Sequence, residues 1–240
     1  LEGLRWDGKS RVHDLLTRYI PCDGPADLLD VLGPRWLTSC VARVAAPGTG
    51  HERGGGPGCK VDTVLILQGP SGYLKSTALA VLGGEWYANS NLPYLSRDGV
   101  LLYQGVWIYE LQEIEQVTRS RSGSAVKAHI STQTDRIRRP YAMGTETLPR
   151  QTIFAGTTNE ASILTDRTSR RRWWPVTVQA PCDIDALRRD RDQLWAEAVA
   201  LYHMGEPWHL LSDEAVVQDQ HAAEYEAEDP WAHPVALWLS

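Results

Sequence analysis

No stretch of the sequence approaches the ~18–20 consecutive apolar residues of a membrane-spanning helix, and no leader pattern opens it. Both absences point to a soluble, cytoplasmic chain with no membrane partner. No two of the four cysteines (Cys22, Cys40, Cys59, Cys182) stand as CxxC. That excludes zinc-ribbon and thioredoxin-like patterns and leaves free thiols in a reducing compartment. The seven histidines show no metal-ligand spacing. There is no internal repeat at solenoid or propeller periods, and no Asn-Lys-x-Asp motif of a GTPase. The most informative absence is local: residues 206–240 contain no Lys or Arg, only eight acids. The whole chain carries 24 Lys+Arg against 30 Asp+Glu, a net charge of −6. Without the last 35 residues the balance is 24 bases against 22 acids. The acidity belongs to one end and does not exclude phosphate or nucleic-acid binding elsewhere.

What is present fits an ordinary globular core, with 240 residues and 42% hydrophobic content. The chain begins at Leu1 rather than Met and reads as a piece of a longer protein. Residues 1–58 read as an N-terminal helical layer. Apolar residues at three- and four-residue spacing predict helices over 10–20 and 25–46, and the glycine-rich Pro47–Gly58 follows as a loop. Residues 59–180 read as an α/β core. Val61–Gln68, Gly105–Leu111 and Gln151–Thr158 are short, nearly continuous apolar runs, suited to strands covered on both faces. A helix over 121–133 and a β-hairpin at about 136–150 lie between the second and third runs. Residues 181–240 read as an acidic helical segment, with helices over 184–204 and 211–228, that ends as a truncated connector. Strands alternating with helices imply a mostly parallel sheet with flanking helices.

The strongest local signal is Gly69-Pro70-Ser71-Gly72-Tyr73-Leu74-Lys75-Ser76-Thr77. It follows a strand and precedes a helix, the context of a phosphate-binding loop. Backbone N–H groups of such a turn, with a helix N-terminus, face an anion together. Lys75 would reach the β/γ-phosphates of ATP, the Ser76 hydroxyl would ligate Mg²⁺, and Thr77 opens the helix. The motif departs from its general pattern at Leu74, where Gly is usual. If that position needs positive φ, Leu is strained there.

A P-loop ATPase also needs a carboxylate on a neighbouring strand for the metal and a group to orient water. Glu110, ending the apolar run Val106–Tyr109, is the metal-side candidate; Glu113 is the candidate for polarising water, and the two roles can be exchanged. The competing reading of Glu113 and Glu115 is the start of a solvated helix. The third strand ends Gly156-Thr157-Thr158-Asn159, and Asn159 is placed to sense the γ-phosphate or the attacking water. Arg170, Arg171 and Arg172 then lead into Trp173-Trp174-Pro175-Val176. Arg171 and Arg172 are candidates for an arginine finger acting across a subunit boundary.

Together these residues resemble the virulence-associated protein E family of phage and mobile-element proteins, itself similar to superfamily 3 helicases of the AAA+ group. The resemblance starts with Leu4–Gly8 and Arg35–Leu37, runs through the phosphate loop, Trp107–Glu113, Asp135-Arg136 to Pro140-Tyr141, Pro149–Gln151, Gly156–Asn159 and Thr168–Val176, and ends with Asp190–Ala198 and Asp229–Trp231. It implies a P-loop NTPase core of AAA+ type, a homo-oligomeric ring of six in the full-length context, and an adjoining primase-like or other replication module. It also implies that the inserted hairpin lines a central channel and tracks single-stranded or forked DNA. Residues 119–150 hold seven bases against two acids, and Lys127, Arg136, Arg138 and Arg139 are the candidate DNA contacts. No sequence-reading motif is present, so the contact would be backbone-directed and salt-sensitive. An acidic tail lying over this hairpin would mask it.

The leading functional expectation is a nucleic-acid-stimulated ATPase, the helicase domain of a phage or mobile-element replication protein, hydrolysing ATP with Mg²⁺ and translocating on DNA. One alternative is an ATP-dependent binding switch with weak hydrolysis, for which Leu74 speaks. Another is a small-molecule P-loop kinase, against which the acidic strand, the Gly-Thr-Thr-Asn strand end and the basic hairpin argue.

Overall fold

The structure, a computed structural model, describes residues 1, 3–45, 57–89, 101, 104–118, 123–138, 143–164 and 167–227. It is a mixed α/β fold: a six-stranded sheet, mostly parallel, with helices on both faces. The strands are β1 (Cys22–Asp23), β2 (Val64–Gln68), β3 (Tyr87–Ala88), β4 (Ile108–Gln112), β7 (Ile153–Thr158) and β8 (Trp173–Val178), in the order β1-β8-β2-β7-β4-β3. Only β1 runs antiparallel, against β8. A separate two-stranded antiparallel sheet joins β5 (Thr134–Ile137) to β6 (Glu146–Pro149).

The continuous apolar runs are strands because both of their faces are covered. Along β2, Leu65 and Leu67 enter one core while Val64 and Ile66 enter the other. The larger core packs α1 (Ala26–Val44), α2 (Lys75–Gly83) and α5 (Ile184–His203) on one face. The smaller core takes α3 (Ile114–Thr118), α4 (Gly123–Ile130) and the end of α6 (Ser212–Ala223) on the other. In β7, a Cβ on Gly156 would lie 3.2 Å from both Ile114 and Ile66. The glycine lets α3 close onto the sheet. N- and C-terminal segments share the larger core, with Trp36 of α1 and Trp195 of α5 both fully buried.

Several element boundaries differ from the sequence reading. Residues 12–19 form a 3-10 turn and a π-type turn (Val12–Asp14, Leu15–Tyr19) rather than one α-helix over 10–20. The strand expected from Val61 begins at Val64. The hairpin starts two residues earlier than expected, at Thr134, and ends at Pro149. The helix expected over 211–228 stops at Ala223. The helix over 184–204 is α5, with the Asp183 side chain capping it by accepting from Ala186 N at 2.9 Å. Most of the loop Pro47–Gly58 and the end of the acidic segment lie outside the described residues. Among the described residues no helix is long and apolar enough to cross a membrane.

Candidate nucleotide site

The site is built where β2, β7 and β4 end side by side. Gly69 leaves β2 with φ +153°, and its N–H donates to Thr158 O at 3.1 Å. A Cβ there would stand 2.6 Å from Val178 O, so only glycine fits. Gly72 makes a second positive-φ turn, at +87°. Leu74 then adopts a left-handed conformation (φ 60°, ψ 25°) as the N-cap of α2, with its side chain 44% exposed. The position does need positive φ, and leucine takes it. The only other non-glycine residue with positive φ among the described residues is Glu113, at 50°. Both lie at this site, and strained backbone of this kind clusters at functional turns.

Lys75, the first residue of α2, is buried and turned back on the loop. Its ammonium donates to Gly69 O (2.6 Å), Pro70 O (2.8 Å) and Asn159 Oδ1 (3.0 Å). It therefore ties the loop to the end of β7. Burial pulls its pKa down, opposed in part by the Glu110 carboxylate.

Glu110 is 1% exposed. It sits two residues after Ile108 on the face of β4 that looks towards α2, as the two-residue strand period requires. Three hydroxyls donate to it: Ser76 Oγ at 2.6 Å, Thr157 Oγ1 at 2.5 Å, and Tyr87 OH in a short contact. A buried carboxylate is costly unless hydrogen-bonded, and here the donors are hydroxyls rather than a cation. Burial, then the contact to Glu110, raises the Tyr87 pKa. Ser76 and Glu110 together present hard oxygen ligands, suited to Mg²⁺ held by one or two protein groups with phosphate and water completing the shell.

The other acids separate. Glu113 is exposed and accepts from Gln116 Nε2. Glu115, read from the sequence as solvated, instead accepts from Thr158 Oγ1 at 2.5 Å, and Thr158 Oγ1 also receives Glu160 N at 3.0 Å. Tyr87, Thr157, Thr158 and Glu115 are the site residues sequence reasoning missed. The two threonines stand beside Asn159 in the strand-end motif and carry that signal. Tyr87 belongs to a two-residue strand with no pattern to read.

The arginines after β7 do not act alike. Arg170 is held by Glu226 (2.6 Å) and Asp219 (3.1 Å) from the C-terminal segment. Arg172 donates to Ser131 Oγ at 3.3 Å. Arg171 is exposed and makes no ion pair among the described residues.

In the hairpin, strand alternation turns Arg136 and Arg138 outward while Asp135 and Ile137 face in. Arg139 lies outside the described residues. Lys127, on α4, is half-buried. Arg150 does not belong to an open basic face. It is 2% exposed and pairs in a fork with Asp135 through Nε (2.9 Å) and Nη2, while Nη1 reaches His129 O at 2.5 Å. This pair removes one base and one acid from the surface count. The acidic tail does not cover the hairpin among the described residues: Glu206 and Glu214 pair with Arg35, and Asp219 and Glu226 with Arg170. The rest of the tail, from residue 228, lies outside the described residues.

No curated protein matches the sequence. The fold is that of the NrS-1 C-terminal region, of which three solved structures compare. They are 16%, 16% and 15% identical, with TM-scores of 0.54, 0.51 and 0.55, over 92%, 98% and 92% of this chain. The chain spans about half of those structures, 53%, 55% and 53% of their lengths. The family model described as the virulence-associated protein E-like domain matches residues 1–227, and with the resemblance carried by the phosphate loop, the acidic strand and the Trp-Trp-Pro-Val strand it places this chain in that family.

Proposed function

We propose that the chain is the Mg²⁺-dependent ATPase domain of a replication protein of phage or mobile-element type, with a P-loop core of AAA+ and superfamily 3 kind. The observation that carries the reading is the convergence at Lys75. One lysine spans the loop carbonyls and Asn159, and the adjoining Ser76 hydroxyl lies on the buried Glu110. Phosphate-loop lysine, metal-side serine, strand carboxylate and polar strand end thus meet in one place.

In this reading Lys75 exchanges its carbonyl partners for β- and γ-phosphate oxygens, so nucleotide binding frees Asn159 to turn to the γ-phosphate or the attacking water. Ser76 and Glu110 would hold an Mg²⁺, which would supply neutralisation of phosphate charge there. Tyr87 and Thr157 keep Glu110 aimed at it. Glu113 or Glu115 orients water; Glu115 is fixed by Thr158, whereas Glu113 stands on the exposed turn. Arg171, exposed and without an ion pair among the described residues, is a better finger across a ring interface than Arg170, which the tail holds. The outward Arg136 and Arg138 contact the DNA backbone, with Arg139 and Lys127 as further candidates. The active form is a ring of six beside a primase-like or other replication module.

The test is Mg²⁺-dependent ATP hydrolysis by this chain, with and without single-stranded DNA, alongside mass measurement with nucleotide. Lys75→Ala abolishes turnover, and Arg171→Ala loses turnover while keeping ATP binding. Hydrolysis that survives Lys75→Ala undiminished refutes the reading.

A further inference from the structure

The arginine turn after β7 is held from the side of the acidic tail. Residues Arg167–Arg172 form a 3-10 turn directly before β8. Such a turn has about three residues per revolution, so Arg170, Arg171 and Arg172 leave it about 120° apart. Two of the three directions are taken. Arg170 donates to Glu226 Oε1 through Nε (2.6 Å) and to Asp219 Oδ2 through Nη1 (3.1 Å). Arg172 Nε donates to Ser131 Oγ at 3.3 Å. Arg171 takes the third direction and is exposed.

The backbone of the turn is held from the same side. Gln218, on α6, is 1% exposed. Its Nε2 donates to Arg170 O (3.3 Å) and to Trp173 O (2.7 Å), so one amide bridges the turn to the first residue of β8. The two carbonyls fix which way the amide faces, since the flipped amide would set Oε1 against both. At its other end the buried Oε1 has no hydrogen-bond partner among the described residues. An unpaired buried acceptor is destabilising, and an apolar side chain of similar size would avoid it. The amide is there for the two carbonyls it holds.

Past α6 the tail returns to the segment that leaves β7. Ile163 N and Leu164 N donate to Tyr225 O at 2.8 and 3.0 Å, and Ala227 N donates to Leu164 O at 2.8 Å. Glu226 stands opposite Leu164 in this bridge. One stretch of tail, residues 218–227, therefore grips the chain at Leu164, beyond Asn159, and again at Arg170.

We propose that Gln218, with Asp219 and Glu226, positions Arg171 for the nucleotide of a neighbouring copy. The proposal rests on the Arg171 finger reading above and adds the part of the chain that aims it. The two carboxylates keep Arg170 from competing for phosphate and fix its direction, and Gln218 fixes the carbonyls on either side of Arg171. None of the three touches nucleotide; all act through the turn. The acidic tail is then an aiming device for one arginine out of three.

Steady-state ATPase and ATP binding of single and mixed variants test it. Gln218→Leu lowers kcat by about 10²-fold, the effect of misplacing a reacting group by about an ångström, and leaves ATP affinity within about twofold. Glu226→Gln, which removes a charge from Arg170 and keeps the shape, lowers kcat in the same direction. Asp213→Asn, at an exposed acid in the first turn of α6, leaves it unchanged. Mixed oligomers separate positioning from folding. Lys75→Ala copies keep the finger and lose the nucleotide site, and Arg171→Ala copies do the reverse. Gln218→Leu copies regain turnover when mixed with Lys75→Ala copies and gain none with Arg171→Ala copies. Wild-type kcat in Gln218→Leu, or no rescue by either partner, overturns the positioning role and leaves the finger standing. Wild-type kcat in Arg171→Ala overturns the finger reading itself.

Discussion

Leu74→Gly separates backbone strain from loop chemistry. A left-handed L-residue costs roughly 1–2 kcal/mol relative to its right-handed form. Glycine removes that cost but gives up conformational entropy on folding, roughly 0.5–1 kcal/mol against alanine. It also gives up whatever the leucine side chain buries. Full burial of a leucine is worth about 1.5–3 kcal/mol, and this side chain is 44% exposed, so roughly half of that is at stake. The terms nearly cancel, and Leu74→Gly changes stability by less than about 1 kcal/mol. Leu74→Ala keeps the strain and loses the packing, and falls by about 1 kcal/mol. Leu74→Val adds a β-branched residue to a backbone that rejects it and falls further, by about 2 kcal/mol.

Urea denaturation of the four proteins at one pH gives the order glycine, leucine, alanine, valine, with the first two close together. Valine as stable as leucine refutes the strained turn. The same series addresses function. Leu74 already holds the loop's left-handed turn and caps α2 without a side-chain bond, so Leu74→Gly leaves ATP affinity within about threefold. A large gain in affinity on Leu74→Gly would show that leucine distorts the loop, and would favour the binding-switch alternative.

Three further outcomes follow from the geometry. Tyr87→Phe removes one of three hydroxyls on Glu110, so the Mg²⁺ concentration for half-maximal ATPase rises about tenfold while metal-free nucleotide binding stays constant. Arg150→Met leaves Asp135 as a buried charge without its fork and lowers unfolding free energy by about 3–5 kcal/mol, read by denaturant titration. His129 is held neutral, its pKa pushed down to about 4 by burial and then by the Arg150 guanidinium. The unfolded imidazole takes up its proton first as pH falls, so this group's contribution is full above about pH 6.5 and is lost from there down towards pH 4. The melting temperature should drop over that window, and His129→Gln should flatten the slope.

Much of the sheet was legible because buried parallel strands read as continuous apolar runs. Val64–Gln68 and Ile153–Thr158 lie within the runs that marked them, and Ile108–Gln112 overruns its run Gly105–Leu111 by one residue. Helix α5, expected over 184–204, spans Ile184–His203. The parts that escaped have physical reasons. Tyr87–Ala88 is too short to show alternation. Residues 12–19 carry helical spacing, yet they pack against α1 as tight turns, with a Cβ on Gly33 only 3.1 Å from Val12 O. The fate of each arginine was not legible, because it depends on partners distant in the chain. Arg150 meets Asp135 across the hairpin, and Arg170 meets Asp219 and Glu226 some fifty residues on. The spacing that marks Arg170, Arg171 and Arg172 as a cluster says nothing about which of them the tail neutralises.

That selection also settles what the net charge of −6 means. At physiological salt the Debye length is about 8 Å, so an approaching polyanion feels the face in front of it rather than the total. Four of the tail's eight acids are spent on Arg35 and Arg170, which quiets the most acidic end of the chain. The Asp135–Arg150 pair is buried at the base of the hairpin and adds nothing to its surface. Arg136 on β5 and Arg138 just after it are exposed, as is Met143 ahead of β6. A negative total charge therefore says little about the field at the hairpin, where two exposed arginines stand and from which four of the tail's acids are held away in ion pairs with Arg35 and Arg170.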